Sequence, residues 1–451
     1  MKSKITIRYF SPAVLLLLMS LSILIPVANA QTTFSGYFSG SDEDEIYSIA
    51  QTSNGDYILS GSTKSFGAGG SDILVIKLNG MGNILWKRTI GTTSDEYANE
   101  IVETEDGNYV LVAYQRPHPL IIKLDKAGNI LWRRYYGLDH YSWGEDLFSV
   151  NATTDGGVIT AGYTEEECGT SSYFGILIIK LESSGNITWR RLYCEEGYHA
   201  YAKSIIQTSD GGYILAGFHE VWFGGSATML IMKLNSSGNI QWRRLFSSSG
   251  WNAAESIAAT PDGGYIVTGT AYSDIEANDV IVIKLNSSGN ILWRRTFGTI
   301  NFDGANAVVN TNDGNYLVLG SIDPYVSDYV TDDAVMIKLN SSGGIVWRRA
   351  FGTNNHGESA YFGLTASDGN YVIAGGTTSF ATGVPKGYVL KVNTNGIIPG
   401  CTYFTTPALT VAAPSLSASA PVFIGSAPVL IGGAPSFTVT APAFTIGTIC
   451  Q

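Results

Sequence analysis

The chain has 451 residues, 52 of them glycine and 25 tyrosine, with only 14% charged residues. Its formal charge is −11 and its pI is near 5.0, which excludes the basic face that nucleic-acid binding requires and leaves cations, sugars or basic proteins as compatible partners. Composition of this kind fits an extracellular all-β protein.

Residues 1–30 read as a secretory signal. Lys2, Lys4 and Arg8 supply the positive end, Pro12 to Val27 the apolar stretch, and Ala28-Asn29-Ala30 the small-residue cleavage pattern. An uncleaved signal anchor is the one expected route to a membrane, because no second stretch is long and apolar enough to span.

From about residue 40 to 398 the chain repeats itself. An Asp-Gly or Asn-Gly turn recurs with its glycine at Gly55, Gly107, Gly156, Gly211, Gly263, Gly314 and Gly369. A lysine between apolar residues recurs at Lys77, Lys123, Lys180, Lys233, Lys284, Lys338 and Lys391, at spacings of 46 to 57 residues. The copy from Asp262 to Phe297 reads as three strands separated by polar turns, and a further strand precedes each Asp-Gly turn. Four strands per unit and seven units predict a seven-bladed β-propeller over residues 31–400. Frequent glycine and concentrated Val, Ile and Tyr exclude helix.

Six units carry a Trp-basic-Arg triplet, at Trp86, Trp132, Trp189, Trp242, Trp293 and Trp347, expected to pack between blades; a cofactor-stacking ring is the alternative. The seventh unit has Pro399, Gly400 and Cys401 where its fourth strand should run. Residues 32–39, TTFSGYFS, precede the first unit with no blade of their own, so they are expected to supply that strand and close the ring.

In each blade the a-to-b and c-to-d turns open on one face and are uniform; the b-to-c and d-to-a loops open on the other and vary, so any site belongs there. Trp143, Trp222, Trp251, Tyr141, Tyr272, Tyr325 and Tyr329 fall in those loops beside acids, as a carbohydrate surface would have them; stapling down their own loops is the plainer role. Asp44, Glu96, Glu145, Asp303 and Glu358 stand eleven residues before their turn glycines, with Ala200 and Asn252 interrupting the column. They are expected either to hold Ca²⁺ near the axis or to pair with Arg88, Arg134, Arg191, Arg244, Arg295 and Arg349. No other cofactor is implied. No histidine spacing, nucleophile elbow or phosphate loop marks a catalytic site.

Four cysteines in an exported chain suggest two disulfides, Cys168 with Cys194 and Cys401 with Cys450, with free thiols as the alternative. Asn186, Asn235, Asn286 and Asn340 are glycosylation sequons at c-to-d turns. In residues 401–451 charge disappears, and Pro407, Pro414, Pro421, Pro428, Pro435 and Pro442 recur seven apart. This tail is expected to form a small stacked array of Pro-initiated strands, with a flexible stalk as the alternative.

With DGGYILAG at Asp210 to Gly217 and KLNSSGNIQW at Lys233 to Trp242, the repeat resembles exported prokaryotic β-propeller repeat proteins, and more distantly quinoprotein propellers. That resemblance implies the fold and little about function. The expected role is a secreted or cell-surface binding module for carbohydrate or a surface protein. An extracellular carbohydrate-active hydrolase or lyase, or a structural envelope component, are the alternatives.

Overall fold

The computed structural model describes residues 33–405 except 116–117, 137–143, 165–172, 196, 222–225, 248–249, 273–277, 300, 324–331, 354–355 and 380–383. Beyond 405 it describes residue 407 and the backbone of the strands at 410–412, 417–419, 424–426, 438–440 and 445–447. The chain divides into a unit 1–31, which lies outside the described residues, and a unit 32–451, which holds everything below.

Seven antiparallel sheets form the blades, as the repeat count predicts. Their inner a strands are Asp44–Gln51, Glu96–Glu103, Glu145–Ala152, Tyr198–Gln207, Asn252–Ala259, Asp303–Asn310 and Glu358–Thr365. Each touches the next, and the last touches the first, so the ring is closed. The b and c strands are almost wholly buried, because both faces of every sheet pack on a neighbouring blade.

The Asp-Gly turn forms for a local reason. In blade four Asp210 Oδ1 accepts from Thr208 Oγ1 (2.5 Å) and from Gly212 N (3.0 Å), while Gly211 sits at φ 75°, where only glycine is unstrained. The same aspartate reaches the repeat lysine. In all seven blades that buried lysine pairs with the turn aspartate, from Lys77 with Asp56 at 3.8 Å to Lys338 with Asp313 at 2.6 Å. Residues as distant in sequence as Lys77 and Lys391 therefore solve one problem in one way: a buried ammonium is neutralised by its own blade's turn.

The triplet tryptophans join blades. Trp86, Trp189 and Trp347 donate through Nε1 to carbonyls of the next blade's c-to-d turn, at Lys126, Ser236 and Thr394. Their rings lie 5.7 to 6.2 Å from the next blade's Tyr109, Tyr213 and Tyr371. The seventh junction uses a substitute. Strand Phe34–Ser39 pairs with Lys386–Val392 in the register Phe34↔Lys391, the position that Trp86 takes against Lys77, and Phe34 packs on Tyr57. Closure by the N-terminal strand is thus as expected from the missing fourth strand.

The tail corrects an expectation. Its rungs do not stack on one another. Each adds antiparallel to the outer strand of a different blade: 404–405 to blade six, 410–412 to blade five, 417–419 to blade four, 424–426 to blade three, 438–440 to blade one, and 445–447 to the closure strand of blade seven. Three-residue strands cannot stabilise each other, whereas the outer edges of the blades offer unpaired N–H and C=O groups that must be satisfied. One heptad spans one blade, so the tail runs round the rim against the direction of the ring.

Candidate functional site

Every a strand carries a β-bulge at the same place. The register shifts between Ile46 and Ser48, Ala98 and Glu100, Leu147 and Ser149, Ala202 and Ser204, Ala254 and Ser256, Ala305 and Ala307, and Ala360 and Phe362. The unpaired residue in each is Tyr47, Asn99, Phe148, Lys203, Glu255, Asn306 and Tyr361, all half-buried. A bulge re-aims a side chain, and here seven bulges on innermost strands make a ring of different residues on a uniform frame. Neighbours in the ring meet: Tyr361 on Tyr47 at 5.6 Å, and the Lys203 ammonium 3.9 Å over Phe148.

An aromatic chain runs beside the ring through blades three to five. Phe148 stacks on Tyr163 (5.5 Å), Tyr163 meets Tyr201 (5.1 Å), Tyr201 stacks on Phe218 (4.8 Å), and Phe218 meets Trp251 (5.5 Å). Between blades one and three a cavity of about 260 Å³ is lined by Tyr47, Tyr97, Asn99, Tyr114 and Asp146. A second cavity, of about 300 Å³, lies under Trp86 and Lys77 on the uniform face, where the repeat frame itself provides the walls.

Burial raises the carboxyls near the axis toward the neutral range. Asp146 is pushed up to about 7 against hydrogen bonds from Asn99 and Leu147 N, and Glu100 likewise to about 7. Burial also raises Glu255.

The five acids of the predicted column do open the a strands and are all buried. Most of their hydrogen bonds lie at the start of their own blades, while Asp44 also faces Lys386 of blade seven (3.5 Å) and Glu145 faces His118 of blade two (3.7 Å). Asp44 accepts from Thr63 Oγ1 (2.5 Å) and Gly40 N (3.0 Å), Glu96 from Thr92 N (3.0 Å) and Gln115 Nε2 (2.5 Å), and Glu145 from Thr164 Oγ1 (2.7 Å). Asp303 accepts from Asp323 N (3.1 Å), and Glu358 from Thr377 Oγ1 (2.9 Å). They stitch the d-to-a loop to the end of strand b. No group of three or more potential metal-binding side chains forms among the described residues. The expected pairing with arginines is corrected too. Arg88, Arg191 and Arg244 donate to c-to-d turn carbonyls at Ala127, Ser237 and Ser288 and lie 5.5 to 5.6 Å from their own triplet tryptophans. They follow the c-to-d turn directly and so belong to the uniform face, whereas the acids begin strands at the other face.

Three acid pairs went unseen in the sequence. At the junctions of blades one with two, five with six and six with seven, Asp72 meets Glu96, Asp279 meets Asp303 and Asp333 meets Glu358, and a Cβ on Gly91, Gly298 or Gly352 would crowd both members. Burial raises Asp279 and Asp333 to about 6, and burial with the Asp279 charge raises Asp303 to about 7.

Of the loop aromatics, Trp251 and Tyr272 come together: Tyr272 N donates to Trp251 O (2.8 Å), and the Tyr272 ring lies against Gly250. Trp143, Trp222, Tyr141, Tyr325 and Tyr329 lie outside the described residues. Asn235, Asn286 and Asn340 stand at c-to-d turns, where each side-chain oxygen accepts two turn N–H groups, and Asn186 is exposed in the matching turn. Cys194 and Cys401 are disulfide-bonded, and no described cysteine is free; Cys168 and Cys450 lie outside the described residues. No described helix is long and apolar enough to cross a membrane.

A closed ring that presents unlike side chains at one repeated position is a propeller suited to binding or scaffold roles. No protein-family model and no curated protein matches the chain. Among solved structures it is similar to a protein of unknown function from Bacteroides caccae, at 12% identity over 63% of this chain and 91% of that one, with a TM-score of 0.38. Sqt1 from Chaetomium thermophilum is similar at 11% identity over 80% and 99%, with a TM-score of 0.46. Drosophila Plexin A, solved in complex with Semaphorin 1b, is similar at 9% identity over 79% and 85%, with a TM-score of 0.38.

Proposed function

We propose that this protein is a secreted or cell-surface, non-catalytic binding propeller that takes a glycan or a surface protein at the axial ring and adjoining variable loops. The observation that carries the reading is the ring itself: Tyr47, Asn99, Phe148, Lys203, Glu255, Asn306 and Tyr361 occupy one bulge position seven times with aromatic, amide, basic and acidic side chains. A frame needs the bulge; it does not need the variety. Export rests on the signal-like residues 1–30 and on the bonded Cys194 and Cys401, for which the pairings 168 with 194 and 401 with 450 are proposed. Use of the sequons would place glycans on the uniform face and leave the ring bare, and Ca²⁺ at the a-strand acids would add rigidity without chemistry.

Glycan-array and surface-protein binding by the mature chain, compared with a Phe148→Ala, Lys203→Ala double variant, tests this. Binding that the double variant loses supports the reading; binding that it retains in full refutes the ring as the site. The alternative of a carbohydrate-active enzyme draws on Asp146 and Glu100, whose raised carboxyls suit a general acid near neutral pH. Polysaccharide turnover lost in Glu100→Gln would favour it.

A further inference from the structure

The cavity between blades one and three has a chemistry of its own. Tyr47, Tyr97 and Tyr114 bring three phenol rings to one space of about 260 Å³, and Asn99 and Asp146 close it. Asp146 Oδ1 takes both bonds that the protein offers, from Asn99 Nδ2 (3.0 Å) and Leu147 N (2.8 Å), which leaves Oδ2 for a ligand. The Tyr47 hydroxyl is already committed to Glu45, so its oxygen is engaged before any ligand arrives. The ring lysine, Lys203, lies over Phe148 and makes no hydrogen bond to Asp146, although its charge draws that carboxyl down against burial.

Aromatic faces carry negative potential at their centres, and a buried carboxylate adds to it. A cavity built this way favours a cation with an apolar skin and disfavours an anion. We propose that the Tyr47, Tyr97, Tyr114 and Asp146 cavity binds a small organic ammonium group, of the quaternary or alkylamine type, carried by the ligand of the axial ring. The inference rests on the binding reading for what the cavity serves, and on its own geometry for what it takes. The cation would restore to Asp146 the charge that burial suppresses, so binding should strengthen as pH rises through about 7.

The test is calorimetric titration of the mature chain with choline and with its uncharged carbon isostere, dimethylbutanol, at about pH 6 and about pH 8. The pH values bracket the Asp146 carboxyl. Choline should bind, and the isostere should bind at least about tenfold more weakly. Tyr97→Leu should cost about tenfold in choline affinity, while Tyr97→Phe, which keeps the ring face, should keep it. Asp146→Asn should abolish the pH dependence. Unchanged thermal melting of Tyr97→Leu would show that the variant is folded.

Equal binding of choline and the isostere, no heat from choline at millimolar concentration, or full affinity in Tyr97→Leu would each overturn the inference. Binding of a neutral monosaccharide lost in Tyr97→Phe would also overturn it, since that outcome makes the phenol oxygen the recognising group. If choline is inert while the ring variant still loses its glycan or protein partner, the ammonium inference alone fails. Choline bound with no partner found at the ring would sink the broader reading and leave this one standing.

Discussion

Phe38→Ala should open the ring at one seam. Phe38 is fully buried in the cluster between blades seven and one, against Ile46, Leu74 and Val389. It sits on the only four-stranded-blade member that comes from the far end of the chain, paired through Phe34↔Lys391 to Tyr37↔Tyr388. Truncating a buried phenylalanine costs about 3–5 kcal/mol. Because the strand is N-terminal and can peel away without unfolding another blade, most of that cost should appear as local opening, a roughly 10²- to 10³-fold rise. Phe297→Ala is the control. Phe297 is as buried and holds the equivalent place against the tail, but its strand is held in sequence between the c strand of its own blade and the a strand of the next. Native-state hydrogen exchange should show accelerated exchange at Lys386–Val392 in Phe38→Ala and not in Phe297→Ala. Equal exchange there in the two variants would refute closure by the N-terminal strand as the weak seam.

Asp262→Asn leaves Lys284 buried with no counter-charge. Since the aspartate side chain is 55% exposed the pair is screened, so the loss should be about 1–3 kcal/mol in urea melts, with Lys284→Met closer to neutral. The pH profile of stability should peak in mild acid. Asp210, Asp262 and Asp313 are held down to about 2, chiefly by their lysines against the cost of burial, so their contribution is present above ordinary carboxylate values and is lost as pH falls toward 2. Asp279 and Asp303, raised to about 6 and about 7, bind protons more tightly when folded, so stability falls as pH rises from about 4 to about 7. Asp303→Asn should flatten that upper limb in thermal melts taken across the range. A chain ending at Gly400 should keep its strand signal but self-associate in sedimentation, because six blade edges lose their outer strand.

The blade count and the closure were legible because their signals are local. An Asp-Gly turn fixes its own hairpin, and Pro399 forbids a fourth strand whatever lies elsewhere. The bulges were not legible, since a bulge is a relation between two strands and Tyr47 or Lys203 carries no mark of it. The acids and arginines were paired wrongly because both follow the blade period, and recurrence says nothing about which end of a strand a residue occupies. Asp44 and Arg88 share a period and stand at opposite faces.

The tail shows the same limit from the other side. Its period was read correctly as short strands, yet a strand is completed only by its partner, and the partners of the described tail strands are spread around six blades. Heptad spacing then acquires a physical cause. Three residues pair with one outer strand, about four cross to the next blade, and each proline falls in sequence between pairing segments, where no ladder N–H is required. Loss of charge follows as well, because the belt lies against apolar edges such as Phe351, whose ring lies tilted 5.4 Å from Phe404. A belt committed to the rim cannot also recognise a ligand there. Its uniformity contrasts with the axis, where Tyr47, Asn99, Phe148, Lys203, Glu255, Asn306 and Tyr361 vary in residue type from blade to blade, as the proposed binding role requires.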